Sequence, residues 1–182
     1  MSLTRRLLIG AASVIPLGLA GCAGQTPNQI LTDIGNIGAA LGNALAKVPT
    51  DVVPATMMTK LRLIDTDIVA AVAQVQSGAL PRGTALQQAF GWVNEAITVA
   101  AGVPIPPGLP PQLVAAWTAV SMVLGAAQVV LPELAAAAGV PLPAAAEAMG
   151  PAAAYRAALP RFSDAVHARA YLARAAGATT RR

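Results

Sequence analysis

Histidine and cysteine each occur once in 182 residues, aromatic residues make up 3% of the chain and charged residues 11%. One thiol cannot close a disulfide within the chain, and one thiol beside one imidazole excludes the cysteine and histidine clusters that hold zinc or iron–sulfur centres. So few aromatic rings leave little with which to stack nucleic-acid bases. Neither a Walker-type loop nor a dinucleotide-binding glycine pattern is present. The low charge also excludes a disordered chain and a solvated coiled coil, because 55% of the residues are apolar, above the globular norm of about half. A chain of this length implies one folded domain.

The N-terminus carries an address. Residues 1–22 read MSLTRRLLIGAASVIPLGLAGC. Arg5 and Arg6 precede an uncharged apolar run over residues 7–20, shorter than the roughly 20 residues of a comfortable membrane span and of the length of a signal peptide's apolar region. Its end, Leu19-Ala20-Gly21-Cys22, resembles the lipobox of bacterial lipoprotein precursors. The resemblance implies a cleaved signal peptide over residues 1–21 and a mature chain that begins at Cys22, its thiol carrying diacylglycerol, with acyl chains such as palmitate on the same residue. Thr4-Arg5-Arg6-Leu7-Leu8-Ile9 is also similar to a twin-arginine export motif, with the general secretory route as the alternative. Ala23, not Asp, follows the cysteine. By the same resemblance this favours the periplasmic face of the outer membrane in a Gram-negative envelope. Residues 22–27 then form a tether that spans roughly 17 to 20 Å when extended, and residues 28–182 form one helical domain.

Apolar spacing in the mature part predicts an all-α fold, a small bundle of three to four main helices followed by a proline-broken, alanine-rich helical part. The first helix is expected over about 28–48, with Ile30, Ile34, Ile37, Leu41, Leu45 and Val48 in one stripe. Gly35, Gly38 and Gly42 flank that stripe. The Gly38 to Gly42 spacing predicts close approach of a neighbour, either a helix of the same subunit or a dimer partner in a membrane. A second helix is expected over about 56–76, with Met57, Leu61, Ile64, Ile68, Val72 and Val75 inward and a stop at Ser77-Gly78. A capping box at Thr84 to Gln87 predicts the start of a third, with Leu86, Phe90, Val93 and Ile97 inward and an end at Gly102. Residues 103–111 hold five prolines and read as an extended connector.

A fourth helix is expected from about 112 to 131, where Pro132 stops it. No charged residue lies between Glu95 and Glu133, and residues 113–131 average about +1.9 in hydropathy, within reach of a membrane span. Thr118, Ser121, Gln128 and the many alanines favour a buried bundle helix instead. The final helix is expected from Ser163, as its cap, to Ala176. The sequence AAGVPIP at 100–106 recurs as AAGVPLP at 137–143, which reads either as a duplicated helix-loop unit or as two similar helix exits.

Charge is segregated. From Cys22 to Pro151 seven acidic residues face four basic ones, whereas residues 152–182 carry Arg156, Arg161, Arg169, Arg174, Arg181 and Arg182 against Asp164 alone, a net of +5. Arg169, Arg174, Arg181 and Arg182 are candidate contacts to an anionic surface such as lipid headgroups; export argues against nucleic acid. Asp65 and Asp67, two apart on a helix, point away from each other, and Arg62 with Asp65 is expected to form a surface ion pair. Ser163, Asp164 and His167 supply the letters of a catalytic triad, but on one short helix they are expected to cap and pair, not to catalyse. Trp92 and Trp117 are expected to fill core space. The expected function is that of a non-catalytic, membrane-anchored envelope lipoprotein, a structural or interaction module with no cofactor beyond the lipid on Cys22. Its expected partners are membrane lipid and an envelope protein. A membrane-active protein, pore-forming or lysis-associated, with a span at 113–131 is the alternative, and a carrier of an apolar ligand a weaker one.

Overall fold

The computed structural model describes residues 26–49, 53–103, 108, 110–143 and 150–177, all helix or connection with no strand among them. Six helices follow in order: α1 (Pro27–Leu45), α2 (Ala55–Gln76), α3 (Arg82–Ala101), α4 (Pro111–Ala138), α5 (Pro151–Ala158) and α6 (Ala165–Ala175). The fold is an all-α bundle, as the periodicity requires.

Helix α1 starts sharply. The Thr26 hydroxyl accepts the Gln29 N–H at 3.3 Å, and Pro27 stands at the first turn, where its missing N–H has no intrahelical partner to lose. Ile30, Ile34, Ile37, Leu41, Leu45 and Val48 are all buried. On its flank α2 lies antiparallel and close: a Cβ on Gly38 would fall 2.9 Å from Val69 Cγ2, and one on Gly42 2.7 Å from Asp65 Oδ2. The two glycines therefore admit a helix of the same subunit. Along α2, Leu61, Ile64 and Ile68 are buried as expected, joined by Met58 and Ala71, while Met57, Val72 and Val75 sit at the margin.

Two expected boundaries move. Helix α3 begins at Arg82, with Pro81 as its cap and no side-chain cap bond, so the Thr84 to Gln87 capping box does not form. Pro81 holds the extended conformation a cap needs, and Gln87 reaches away to donate to the Pro141 carbonyl at 3.0 Å. Helix α4 does not stop at Leu131; it runs through Pro132 to Ala138. An interior proline costs about 3 kcal/mol and leaves the carbonyl four residues back, on Gln128, without an N–H. Burial of Leu131 and Leu134, each worth about 1.5 to 3 kcal/mol, offsets that cost, and Pro132 itself faces solvent. The helix ends where Gly139 turns left-handed at φ 65°, a conformation that favours glycine. The matching exit at Gly102 is right-handed at φ −82°, so the AAGVP repeat ends two helices in two different ways.

Contacts between helices fix the topology. Gly102 lies against Met57, Gly83 against Val140, and α4 returns antiparallel along α1, so α1 to α4 alternate up and down around one core. The α4 helix packs on α1, α3 and α6, and it contributes Val120, Leu124, Ala127, Val130, Leu131 and Leu134 to the interior. Trp117 is buried there, and Trp92 packs against the core from the margin. Helix α5 leans on α3. Helix α6 runs parallel to α1, from the Asp33 to Arg169 pair to the Asn43 amide, which donates to the Ala175 carbonyl at 2.9 Å.

Candidate functional site

The residues of the expected address, Arg5, Arg6, Leu19, Ala20, Gly21 and Cys22, lie outside the described residues, as do Arg181 and Arg182 of the basic segment and residues 104–107 and 109 of the proline connector. What the geometry does establish is where the bundle begins. Thr26, the cap of α1, stands four positions after Cys22.

The described arginines of the basic segment do not all face solvent. Arg169, expected to face an anionic surface, turns inward: its Nε stands 3.1 Å from Asp33 Oδ2 on α1 and its Nη2 3.1 Å from Glu133 Oε2 on α4, with 17% of the side chain exposed. The reason is its position on α6. Arg169 follows Ala168, which is buried, and meets the two carboxylates where three helices converge. Burial pushes the Asp33 carboxyl above its ordinary value more than Arg169 lowers it, and Glu133 adds to the rise. Arg156 donates to Asn94 Oδ1 at 2.8 Å and so ties α5 to α3. Only Arg161 and Arg174 of the described arginines in this segment are exposed. Arg174 lies beside Asn43, Ala44 and Lys47, at the end of α1 remote from Thr26. At 1.5 Å per residue the separation along α1 is about 27 Å.

The Asp33, Glu133, Arg169 junction was missed in the sequence. A signal exists: Asp33 falls between Ile30 and Ile37 on the apolar stripe of α1, where an ionised side chain needs a partner from elsewhere. The expected Arg62 to Asp65 pair does not form. Among the described residues the ion pairs are those of Arg169 and of His167 with Asp164, while the Asp65 carboxyl turns back over Gly42. Burial pushes its pKa up.

Comparison with family models, curated proteins and solved structures finds no match to this chain.

The triad letters resolve as a helix cap. Asp164, not Ser163, is the N-cap of α6; its Oδ1 accepts the His167 N–H at 2.9 Å, and this bond above all holds its carboxyl below the usual range. Aspartate accepts the orphan N–H more strongly than a serine hydroxyl because its oxygen is ionised. Both Asp164 oxygens lie 2.8 Å from His167 Nδ1, and Ser163 Oγ lies 3.2 Å from the same nitrogen. A serine relay needs the nucleophilic hydroxyl and the orienting acid on opposite nitrogens of the histidine ring. Here they compete for one, on an exposed helix end, and the arrangement caps and orients.

Two clefts are lined by described residues of the bundle. One, of about 310 Å³, lies under the 159–162 connection, where the Pro160 carbonyl presses against Gly125 so closely that a Cβ there would lie 2.5 Å away. The other, of about 290 Å³, opens between α1, α4 and α6 at the Lys47 and Arg174 end. The hydroxyl of Tyr155 at the α4 to α5 contact is 2.8 Å from Ser121 Oγ.

Proposed function

We propose that this chain is a lipid-anchored envelope lipoprotein that acts without catalysis, as a structural or interaction module held against a membrane by acyl chains on Cys22. The observation that carries the reading is the position of the single cysteine at the close of Leu19-Ala20-Gly21-Cys22, four positions before the cap of the first helix. Several acyl chains on one residue hold a domain firmly where a single chain does not, and so short a tether keeps the bundle at the surface. The α1 N-terminus, the α2 to α3 turn and the α4 C-terminus share the end of the bundle nearest the tether. That end faces the bilayer in this reading. Arg174 then points away from the anchoring membrane, and headgroup attraction by the basic segment is correspondingly weak.

A second reading draws on α4, whose 28 residues include an 18-residue window of mean hydropathy 1.8. A helix of this length and composition can cross a membrane, and a bundle that opened would present it. In the closed bundle 56% of that window is buried against the other helices, which accounts for its apolarity without a bilayer. Cell fractionation with Cys22→Ala separates the two readings. A lipid-anchored module moves to the soluble envelope fraction, whereas a spanning protein stays with membranes through an alkaline wash.

A further inference from the structure

We propose that the cleft between α1, α4 and α6 binds a small amphiphilic anion free in solution, its acidic head between Lys47 and Arg174 and its alkyl stem on the floor between the helices. The floor is apolar because each of the three helices contributes short side chains there: the partly exposed Ala119 from α4 and Ala175 from α6, above the buried Ala40 and Ala44 of α1 and Val123 of α4. Three helices that meet through residues this small leave a gap instead of an interdigitated contact. At about 290 Å³ the gap stands at the lower bound of small-molecule sites, room for a short stem and a head but not for a large ligand.

Charge supplies the second observation. Lys47 follows the end of α1 and Arg174 lies in the last turn of α6, and both line the cleft. Among the described residues no carboxylate lines it, and neither cation forms an ion pair there. Helix C-termini attract cations by themselves, which explains each residue singly. It does not explain why both flank one apolar recess. Both are exposed at the rim, where solvent and salt screen their repulsion, and an anion between them gains charge-assisted hydrogen bonds from either side. Tyr171 also lines the cleft; its phenol, protonated at neutral pH as an ordinary tyrosine is and pushed further up by burial, can act as a further donor. Apolar stem alone or acidic head alone would satisfy half of these features. The inference does not depend on the anchor at Cys22, and the cleft lies remote from the tethered end.

The test uses the chain from residue 22 with Cys22→Ser, which retains every helix of the bundle, and nitrogen-15 amide NMR with octanoate, 1-octanol and acetate as probes. Octanoate is expected to saturate with shifts centred on Asn43, Lys47, Tyr171 and Arg174, and octanol and acetate to bind at least tenfold more weakly. The variant Lys47→Gln with Arg174→Gln is expected to weaken octanoate at least tenfold, to the level of octanol. Ala119→Leu, which fills the floor and leaves the charges in place, is expected to abolish binding. Unchanged helical circular dichroism and thermal unfolding of each variant show that the bundle is intact. The proposal is overturned if octanoate does not saturate below its micellar range, if octanol or acetate binds as tightly, or if the double variant binds like the parent. Displacement of octanoate by phosphatidylglycerol vesicles would overturn the assignment to a free ligand in favour of a bilayer headgroup.

Discussion

Arg169 is the side chain whose removal discriminates most clearly between a surface arginine and a structural one. It joins α6 to α1 and α4 through Asp33 and Glu133, and the two carboxylates differ in what happens when it goes. Glu133, with 42% of its side chain exposed, rehydrates. Asp33, at 9%, cannot. Breaking a buried pair by removing one partner costs about 3 to 5 kcal/mol, whereas replacing both partners with apolar residues is often neutral. Asp33 can limit the loss by taking a proton, since burial already holds its pKa above the ordinary 3.8, and each pH unit between that pKa and neutrality then costs about 1.4 kcal/mol. Arg169→Met is therefore expected to lose about 3 kcal/mol at pH 7. In urea, with a slope near 2 kcal/mol per molar for a domain of this size, the midpoint falls by about 1.5 M. The double variant Asp33→Leu with Arg169→Met is expected within about 1 kcal/mol of the parent, since it leaves no buried charge behind. A raised folded pKa means that the folded state binds the proton more tightly, so acid relieves the defect and the gap between Arg169→Met and the parent narrows as pH falls toward 3.8. The assay is urea unfolding of the chain from residue 22 with Cys22→Ser, followed by circular dichroism at several pH values. A single variant within 1 kcal/mol of the parent, or single variants whose losses simply add in the double, would refute the buried junction.

Glycine substitutions should rank by what a Cβ meets. Gly125→Ala drives a methyl to 2.5 Å from the Pro160 backbone carbonyl and should lose about 1 to 3 kcal/mol; Gly38→Ala meets the branched Val69 and Ile68 and should lose less; Gly42→Ala meets the movable Asp65 carboxylate and least of all disturbs the packing. Gly91→Ala, with open space around it, should stabilise by about 0.5 to 1 kcal/mol through helix propensity alone, and thermal unfolding of the four reads the order directly. Asp65→Asn should raise the melting temperature at pH 7, because a folded pKa raised by burial makes the ionised form the less stable one, and the gain should vanish below pH 3.8 where Asp65 is protonated in both states. Asp164→Ala should show the opposite profile: its depressed folded pKa stabilises α6 above 3.8 and loses that effect as pH falls through the folded value.

Much of the bundle is written in the order of apolar residues. The stripe of α1 and most of that of α2 and α3 emerge as the buried faces, since a three- and four-residue spacing places side chains on one side of any helix whatever it later packs against. The glycines Gly38 and Gly42 announced a close neighbour, yet only the fold shows it to be α2 of the same subunit, because the same small residues would admit either. Helix ends were less legible. Thr84 has the letters of a cap and Pro132 those of a stop, but Pro81 takes the first role, and burial of Leu131 and Leu134 overrides the second. Local preferences of about 1 to 3 kcal/mol decide a boundary only where tertiary burial of the same size does not oppose them.

The roles of charged residues belong to the tertiary structure almost entirely. Composition places six arginines in the last 31 residues, and the folded chain divides them: Arg169 into a buried junction with residues 36 and 136 positions earlier, Arg156 onto Asn94, Arg174 beside Lys47 at a cleft. Sequence by itself determined the helical class and most of the inward faces, since each depends on neighbours within one or two turns. Partnership between charges depends on which helix ends meet in space, and the energy of an ion pair depends on how far solvent is excluded there. Both are properties of the packed bundle, and neither has a period that a linear chain can display.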